Sequence, residues 1–221
     1  MQLINVFTEP RRVFDELAKS PSVLLPFVLC MLVYACAIFV YYQRVDGAWL
    51  VDTLLQASGQ LNAKQLDAAR QVTTVATLKW SALIGTVAGS AIGLLIMGGY
   101  YKLAGKIAGL NLSYRHWLSF QAWSALPQIL GYIVFLIGAL VMAPHTVFTD
   151  LQMTHIDPLL VHLPTTSAWH GLLGALDLLF LWSAYLVWCG WQRFGGSRRS
   201  AVMVVALPYV CLLYTSPSPR D

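Results

Sequence analysis

Apolar residues in this chain occur in long blocks that contain few charges. A helix needs about 20 consecutive apolar residues to cross the hydrocarbon core of a bilayer. Blocks of this kind predict five transmembrane spans, at residues 23–42, 80–101, 117–142, 168–191 and 200–210, the last of which begins just before an anomalous C-terminal segment. The pattern therefore predicts an all-α fold, a polytopic transmembrane helical bundle of five spans that forms a single membrane domain over residues 1–210.

The first 20 residues differ from these blocks, because their apolar positions recur on one side of a helix. Thr8 is suited to cap that helix, and Pro10 suits its first turn. The apolar side and the basic residues of this segment are Val13, Phe14 and Leu17, and Arg11, Arg12 and Lys19. We expect an N-terminal amphipathic helix that lies at the membrane interface and leads into the first span.

The composition supports a membrane protein and excludes other classes. The chain has 221 residues, of which 57% are hydrophobic and only 11% are charged, whereas about a quarter of the residues of soluble domains are charged. A net charge of +4 is too small to indicate a nucleic-acid partner. The four cysteines form no CxxC pair and no Cys/His cluster with metal spacing, so they predict no cofactor.

Lys and Arg residues divide unequally between the two sides of the predicted bundle. Nine lie in the N-terminal segment and in the linkers after the second and fourth spans, and four lie in the loop 43–79 on the opposite side. Cytoplasmic segments of membrane proteins carry the excess of Lys and Arg. We therefore expect the N-terminus to be cytoplasmic.

Three glycines of the second span, Gly85, Gly89 and Gly93, are spaced by four residues. Residues four apart share a helix face, and a face of small residues lets two helices approach closely in lipid. We interpret these glycines as a helix-packing face, used either by the other spans of this chain or by a partner helix. The competing interpretation is that glycine is simply common in membrane helices.

Polar residues inside the predicted spans are the second candidate site. Asp177 is the one acidic residue expected well inside a span, where a carboxylate costs ~2.5–3.5 kcal/mol and usually faces the bundle interior. His170 falls on the same helix face, and Gln121 and Gln128 share a face of the third span. Two hypotheses follow: a proton or cation relay through Asp177 and His170, or a protonated Asp177 that hydrogen-bonds a neighbouring helix.

The outer loop 143–167 holds the remaining candidate chemistry, namely His145, His155 and His162 together with Asp150 and Asp157. Their spacing matches no metal-site signature, and Pro158 and Pro164 interrupt any helix that would align them. A solvated loop is therefore favoured over a metal site. No nucleophile elbow, phosphate loop or nucleotide-binding fingerprint is present, so we do not expect an enzyme.

Four tryptophans stand near the ends of predicted spans: Trp80, Trp117, Trp169 and Trp191. Tryptophan is enriched where a span meets the headgroup region. We interpret all four as interfacial anchors.

The last eleven residues, CLLYTSPSPRD, leave the apolar pattern abruptly after Val210. This string resembles the in-frame translation of a transposase-type sequencing adapter. We therefore expect residues 211–221 to be a library scar that replaces the native C-terminus, and we exclude them from fold reasoning.

Three stretches in this order resemble the Yip-domain family, the Ypt/Rab-GTPase-interacting membrane proteins, in its short bacterial branch. They are NVFTEPRRVFDELAKSPSVLLP at 5–26, SFQAWSALPQILGYI at 119–133 and SRRSAVMVVALPYV at 197–210. They are similar to the family's amphipathic lead, to its span with a mid-helix proline, and to its short basic turn into a last helix. The resemblance covers nearly the whole native chain.

The resemblance implies a five-helix integral protein of the bacterial inner membrane with a cytoplasmic N-terminus. Eukaryotic relatives help to organise vesicle traffic with small GTPases. This chain lacks their long cytoplasmic N-terminal region and their DLxGP-type motif, so Rab-type GTPase binding is not expected.

The leading hypothesis is a non-enzymatic inner-membrane protein that acts through helix-mediated interaction. Its partner would be a second copy in a homo-oligomer, another membrane protein, or membrane lipid. The alternative is a small transporter or channel with Asp177 in its conduction path. A third possibility, a membrane enzyme that uses the outer histidines, predicts a bound metal.

Overall fold

The computed structural model describes residues 2–57, 63–161, 167, 169 and 176–215. These residues form helices and connecting turns with no strand among them, which confirms the all-α class. The α-helices of the described part are α1 (Gln2–Thr8), α2 (Pro10–Lys19), α3 (Leu24–Arg44), α4 (Gly47–Ala57), α5 (Ala63–Val72), α6 (Val75–Ile107), α7 (Tyr114–Ser124), α8 (Gln128–Val141), α9 (Leu179–Arg193) and α10 (Arg198–Thr215). A 3₁₀ turn, Phe148–Leu151, and a π-helical turn, Asp157–Val161, lie between α8 and α9.

Two helices are long and apolar enough to cross a membrane by length and composition, α3 with 21 residues and α6 with 33. α7 and α8, which are bent by 41° at their junction, make a third candidate if the pair crosses as one span. The described helix of the predicted fourth span begins only at Leu179 and has 15 residues, while α10 has 18 residues with Pro208 inside it. The described residues thus support two or three spans, and the count of five stays a prediction, as does the origin of residues 211–221.

The predicted third span, 117–142, is divided into two helices at Pro127. Proline has no backbone N–H and cannot continue the ladder of i to i−4 hydrogen bonds. The backbone tightens there instead, and Leu126 N–H donates to Trp123 O at 3.3 Å while Gln128 N–H donates to Ala125 O at 3.1 Å. The local i to i−3 bonds explain why the apolar block forms a bent pair.

Both ends of α6 are closed by local hydrogen bonds. Thr74 and Thr77 form a reciprocal capping box at its start, with the Thr77 N–H donating to Thr74 Oγ1 at 3.1 Å. At its other end Gly109 has a φ of 77°, and the N–H of Leu110 donates to Gly105 O at 2.8 Å. A helix of 33 residues is about 50 Å long, which exceeds the ~30 Å hydrocarbon core.

A cluster of buried aromatic rings joins α2, α6, α7 and α9 near one end of the bundle. We call this the aromatic cluster, and its members are Phe14, Tyr101, Trp117, Phe120, Trp191 and Phe194. The ring centroids of Tyr101 and Phe120 lie 4.8 Å apart, and those of Trp117 and Trp191 lie 5.4 Å apart. The cluster fixes α2 against the bundle, because Phe14 contributes a ring 5.7 Å from Phe120.

The connection from α2 to α3 is also held to the bundle. Ser119 Oγ of α7 accepts a hydrogen bond from Ser22 N–H at 3.1 Å and donates to Ser22 O at 2.9 Å. Trp123 Nε1 donates to the same carbonyl at 2.9 Å. Ser119 and Trp123 are fully buried and Ser22 is half-buried, so these bonds are largely shielded from solvent.

The opposite end of the bundle has a second core, built mainly by α3, α8 and the 3₁₀ turn. Phe135 packs on Phe148 with ring centroids 4.5 Å apart and on Tyr41 at 5.9 Å. The Tyr41 hydroxyl donates to Thr146 O at 3.2 Å, and Asp46 N–H donates to Pro144 O at 2.8 Å. These contacts bring the segments after α3 and α8 together at this end.

Candidate interaction face and interior polar segment

Gly85, Gly89 and Gly93 lie along one open side of α6. A Cβ atom built on any of the three would meet no other atom within 4 Å among the described residues, apart from the helix's own neighbours. The other side of α6 faces the bundle, since its buried residues are Leu83, Gly98, Tyr101 and Gly105. Within the described part of the chain, the glycine face has no packing partner.

Apolar side chains border this glycine face. Ile92 and Ile96 follow Gly89 by three and seven residues, so they lie on the same side of the helix, and both are exposed. The face is therefore a shallow strip of backbone with a bulky apolar edge. A second helix carrying a similar small-residue strip fits such a surface, because close backbone approach requires small residues on both sides.

The glycines that are closely packed within the chain are different ones. A Cβ on Gly98 would lie 2.6 Å from Leu118 Cδ2, and a Cβ on Gly190 would lie 2.7 Å from Phe120 Cε2. A Cβ on Gly105 would overlap the ring of Trp117. Sequence reasoning missed these three glycines. The spacing of seven between Gly98 and Gly105, which places them on one helix face, is the signal that was available.

A short hydrogen-bonded link fixes the side of α6 that faces the bundle. Thr86 Oγ1 donates to Tyr34 Oη of α3 at 2.9 Å, and that hydroxyl donates to Ala82 O of α6 at 3.4 Å. The ring of Tyr34 stacks edgewise on Tyr132 of α8, with centroids 5.3 Å apart. These contacts join α6 to α3 and α8 near Gly85, whose own Cβ position stays open among the described residues.

Asp177 lies just before α9 begins, in an extended segment paired with the loop after α8. Ile156 N–H donates to Leu176 O at 2.9 Å and Leu178 N–H donates to Thr154 O at 3.0 Å, which forms an antiparallel bridge between His155 and Asp177. The Asp177 carboxylate, only 7% exposed, accepts the N–H of Leu179 at 2.9 Å. Asp177 therefore stabilises the start of α9.

This segment reaches into the bundle rather than remaining at its end. A Cβ on Gly131, in the first turn of α8, would lie 3.3 Å from both Leu179 Cδ1 and Thr154 Oγ1. The loop after α8 thus folds back along α8 and meets the start of α9. Sequence reasoning missed the pairing of His155 with Asp177, and no periodic pattern in the loop predicts it.

The other predicted interior polar residues are not gathered around Asp177 by any described contact. His170 lies outside the described residues. Gln121 is half-buried on α7, and Gln128 is the first residue of α8. The buried Nε2 of Gln128 has no hydrogen-bond partner among the described residues.

The histidines of the outer loop have separate surroundings. His145 lies 3.5 Å from the Asp46 carboxylate and stacks on Trp49, with ring centroids 5.0 Å apart. The N–H of Trp49 lowers the pKa of Asp46, and His145 and the N–H of Ala48 lower it further. His162 lies outside the described residues, among which no group of three His, Cys, Asp or Glu side chains is placed to hold a metal ion.

The four tryptophans do not share one role. Trp80 and Trp169 are exposed, as an interfacial anchor requires. Trp117 and Trp191 are fully buried in the aromatic cluster. The interpretation of these two as interfacial anchors is wrong, because a ring enclosed by protein does not reach lipid headgroups.

Comparison with known proteins decides the family. A sequence model of the Yip1 domain matches residues 4–216. The chain belongs to the Yip1 domain family. The family is that of the resemblance drawn from the three sequence stretches, which is thereby confirmed.

A curated relative of this Yip1-domain protein is described as membrane protein YknW of Bacillus subtilis (strain 168). The two are 26% identical over 206 residues, which cover 93% of this chain and 83% of the relative. No solved structure matches the chain. Its family and its apolar helices identify a membrane protein of the bacterial Yip type.

Proposed function

We propose that this Yip1-domain protein is a non-enzymatic, multi-pass protein of the bacterial inner membrane that acts by binding another transmembrane helix. The contact face is Gly85, Gly89 and Gly93 on α6, and the partner is α6 of a second copy of the chain. One observation carries the proposal: these three glycines are open in the described structure, whereas Gly98 and Gly105 of the same helix are filled from within the chain.

A second copy is the partner that the surface favours. A small-residue strip complements another strip of the same kind, and two-fold symmetry brings the same patch of two subunits together. The exposed edge formed by Ile92 and Ile96 adds apolar contact area beside the glycines. Other membrane proteins and lipid are the competing occupants.

The proposed topology has five spans with the N-terminus in the cytoplasm. Nine Lys and Arg residues lie in the N-terminal segment and in the linkers after the second and fourth spans, and they support this orientation. α2 buries Val13, Phe14 and Leu17 and exposes Arg11 and Arg12. We propose that α2 lies at the cytoplasmic interface with these two arginines toward the headgroups.

The test compares two Gly→Leu substitutions on one helix. Gly89→Leu adds bulk at the centre of the glycine face, while Gly99→Leu adds the same bulk at another open, exposed position of α6, ten residues or about 15 Å further along the helix. The wild type and both variants are placed in native-membrane nanodiscs and weighed by native mass spectrometry. We expect a dimer for wild type and Gly99→Leu, and a dimer weakened by about tenfold or more for Gly89→Leu, which corresponds to ~1.4 kcal/mol.

The outcomes separate the competing occupants. A different protein that co-purifies with wild type and Gly99→Leu but not with Gly89→Leu would replace the second copy as partner. If wild type and both variants are monomers with no bound protein or lipid, the proposal is contradicted. Thermal unfolding of each variant shows whether lost assembly reflects lost folding.

The alternative function, transport through Asp177, is supported by one observation, the burial of its carboxylate within the bundle. Reconstituted wild type would then move protons or cations across a liposome membrane, and Asp177→Asn would abolish the flux. Flux that depends on Asp177 would favour transport over the interaction role.

A further inference from the structure

Two helix-to-helix turns of this chain have the same construction. After α6, Gly109 has a φ of 77°, Leu110 N–H donates to Gly105 O at 2.8 Å and Gly109 N–H donates to Lys106 O at 3.2 Å. After α9, Gly195 has a φ of 102°, Gly196 N–H donates to Trp191 O at 3.0 Å and Gly195 N–H donates to Gln192 O at 3.2 Å. Both are Schellman caps, which end a helix sharply with a left-handed residue.

The two turns touch each other at one end of the bundle. Leu110 Cδ2 of the first lies 3.3 Å from the Cβ position of Gly195 in the second. Behind them Trp117 packs on Trp191 and on Phe194, with ring centroids 5.4 and 5.6 Å apart. The segments that enter and leave both turns are therefore held on one surface.

That surface carries four exposed cations, which we call the basic surface: Lys106, Arg115, Arg198 and Arg199. Lys106 precedes the first turn and Arg115 follows it, while the other two open α10 after the second turn. Sequence separation between the pairs is large, and the contact between the two turns, with the aromatic cluster behind it, brings them to the same end.

The carboxylates of this end are engaged elsewhere. Asp15 makes a two-point ion pair with Arg193, each N–O distance being 2.6 Å. Glu9 and Glu16 each lie 3.5 Å from Arg12. Among the described residues, no carboxylate forms an ion pair with a member of the basic surface, so its four charges are uncompensated within this part of the chain.

Exposed apolar side chains adjoin these charges. Ile107, next to Lys106, is 82% exposed, and Leu103 one turn earlier is also exposed. α6 is about 50 Å long, which exceeds the ~30 Å hydrocarbon core, and its charge-free block ends at Tyr101, so its last turn follows that block and reaches headgroup depth. A cation beside an exposed isoleucine suits a ligand that has both a phosphate and an acyl chain. A soluble anion would leave the isoleucine exposed to water.

We infer that the basic surface binds the phosphate headgroups of anionic phospholipids of the membrane that the chain spans, with the two touching turns as the scaffold of the site. Cations near an anionic surface attract it additively, each by a factor of about five, which is ~1 kcal/mol. The four charges then select anionic lipid from a mixed bilayer. This inference does not depend on the glycine face of α6.

The test uses the full chain in nanodiscs of phosphatidylcholine mixed with phosphatidylglycerol. Native mass spectrometry measures the ratio of the two lipids that remain bound after the disc is stripped. One variant, R198Q/R199Q, removes half of the basic surface. The matched control, R44Q/K64Q, removes two exposed cations outside it, from the end of α3 and from α5.

We expect wild type and the control to retain phosphatidylglycerol in preference to phosphatidylcholine, and R198Q/R199Q to lose about tenfold or more of that preference. R198K/R199K, which keeps the charges, should restore it and guards against a folding defect. A wild type that retains the two lipids in the ratio of the bulk bilayer would overturn the inference, as would an equal loss in the control.

A second arm identifies the source of the phosphate. Inorganic phosphate is added to wild-type discs at constant ionic strength before the lipid is stripped. Unchanged retention of phosphatidylglycerol supports the lipid site. Displacement of phosphatidylglycerol by inorganic phosphate would assign the surface to a soluble anion and would overturn the lipid inference.

Discussion

The indole ring of Trp117 lies against the backbone of Gly105, in the space that a side chain on α6 would occupy. Gly105 is buried in α6, and Trp117 is at the centre of the aromatic cluster. The same helix carries Gly89, where the corresponding space is open. One helix thus has glycines of two kinds, one set packed closely from within the chain and one set open in the described structure.

Gly105→Ala should destabilise the protein, because the added methyl group overlaps Trp117 in a closely packed region. Overpacking of this kind costs ~1–3 kcal/mol. Gly89→Ala is the control, and it should leave stability unchanged or raise it slightly, since Ala is favoured over Gly in a helix by roughly 0.5–1 kcal/mol. Thermal unfolding of detergent-solubilised protein measures both, and equal midpoints would contradict the packing described for Gly105.

Ser119→Ala should also destabilise the protein, through hydrogen bonds rather than packing. The Ser119 hydroxyl is fully buried and accepts the N–H of Ser22. Its loss leaves that N–H without its partner, which costs ~1–3 kcal/mol for a buried donor. Ser20→Ala, at an exposed position just after α2 whose hydroxyl makes no hydrogen bond to the described residues, is the control and should change the unfolding midpoint little. If the two midpoints coincide, the link between Ser22 and α7 does not contribute to stability.

Sequence patterns identified the parts of the fold that depend on local chemistry. The apolar blocks located α3 and α6, because length and composition suffice for a spanning helix. Pro127 was visible as a site of lost hydrogen bonding, but the 41° bend depends on how α7 and α8 pack, which the sequence does not contain. The predicted span 168–191 has a described helix only from Leu179, and the residues just before that helix, 176–178, pair with the loop at His155.

The candidate residues divide in the same way. The spacing of Gly85, Gly89 and Gly93 indicates a shared face, but not whether a neighbouring helix covers it. That depends on which side of α6 packs on the bundle, and the side that does so carries Leu83, Tyr101 and Gly105. The interpretation of Trp117 and Trp191 was wrong for a similar reason. A tryptophan near the end of a span can contact either lipid headgroups or the protein core, and the burial of Trp117 arises only from tertiary packing.

The contribution of Asp46 to stability should depend on pH in the acid range. The N–H groups of Trp49 and Ala48 donate to its carboxylate at 3.1 and 3.0 Å and, with His145, hold its folded pKa below the ordinary value of 3.8. A group with a lowered folded pKa stabilises the folded state above its unfolded pKa and loses that contribution as pH falls through the folded pKa. Wild type should therefore exceed Asp46→Asn in unfolding midpoint at neutral pH, and the difference should shrink below pH 3.8.

The control for this comparison is Asp52→Asn, which removes an exposed carboxylate paired with Arg70 on the neighbouring helix α5. Any general effect of one fewer negative charge appears in both variants. The difference in unfolding midpoint between wild type and Asp46→Asn could stay constant with pH, or it could match the difference for Asp52→Asn at every pH. Either result would show that the Asp46 contacts do not stabilise the start of α4.

Asp177 provides the sharpest distinction between a structural and a transport role. Its carboxylate accepts the N–H of Leu179 and its backbone is bridged to His155, so its described contacts are those of a helix-starting residue. Asn retains an acceptor oxygen at this position and Ala does not, and the net contribution of one such hydrogen bond is ~0.5–1.5 kcal/mol. For a structural role, Asp177→Asn should unfold close to wild type, and Asp177→Ala should unfold at a lower temperature.

Proton and cation flux in liposomes should be the same for wild type and Asp177→Asn. A folded Asp177→Asn variant that loses a flux present in wild type would instead assign the carboxylate to transport, because only its charge and its capacity to bind a proton have changed.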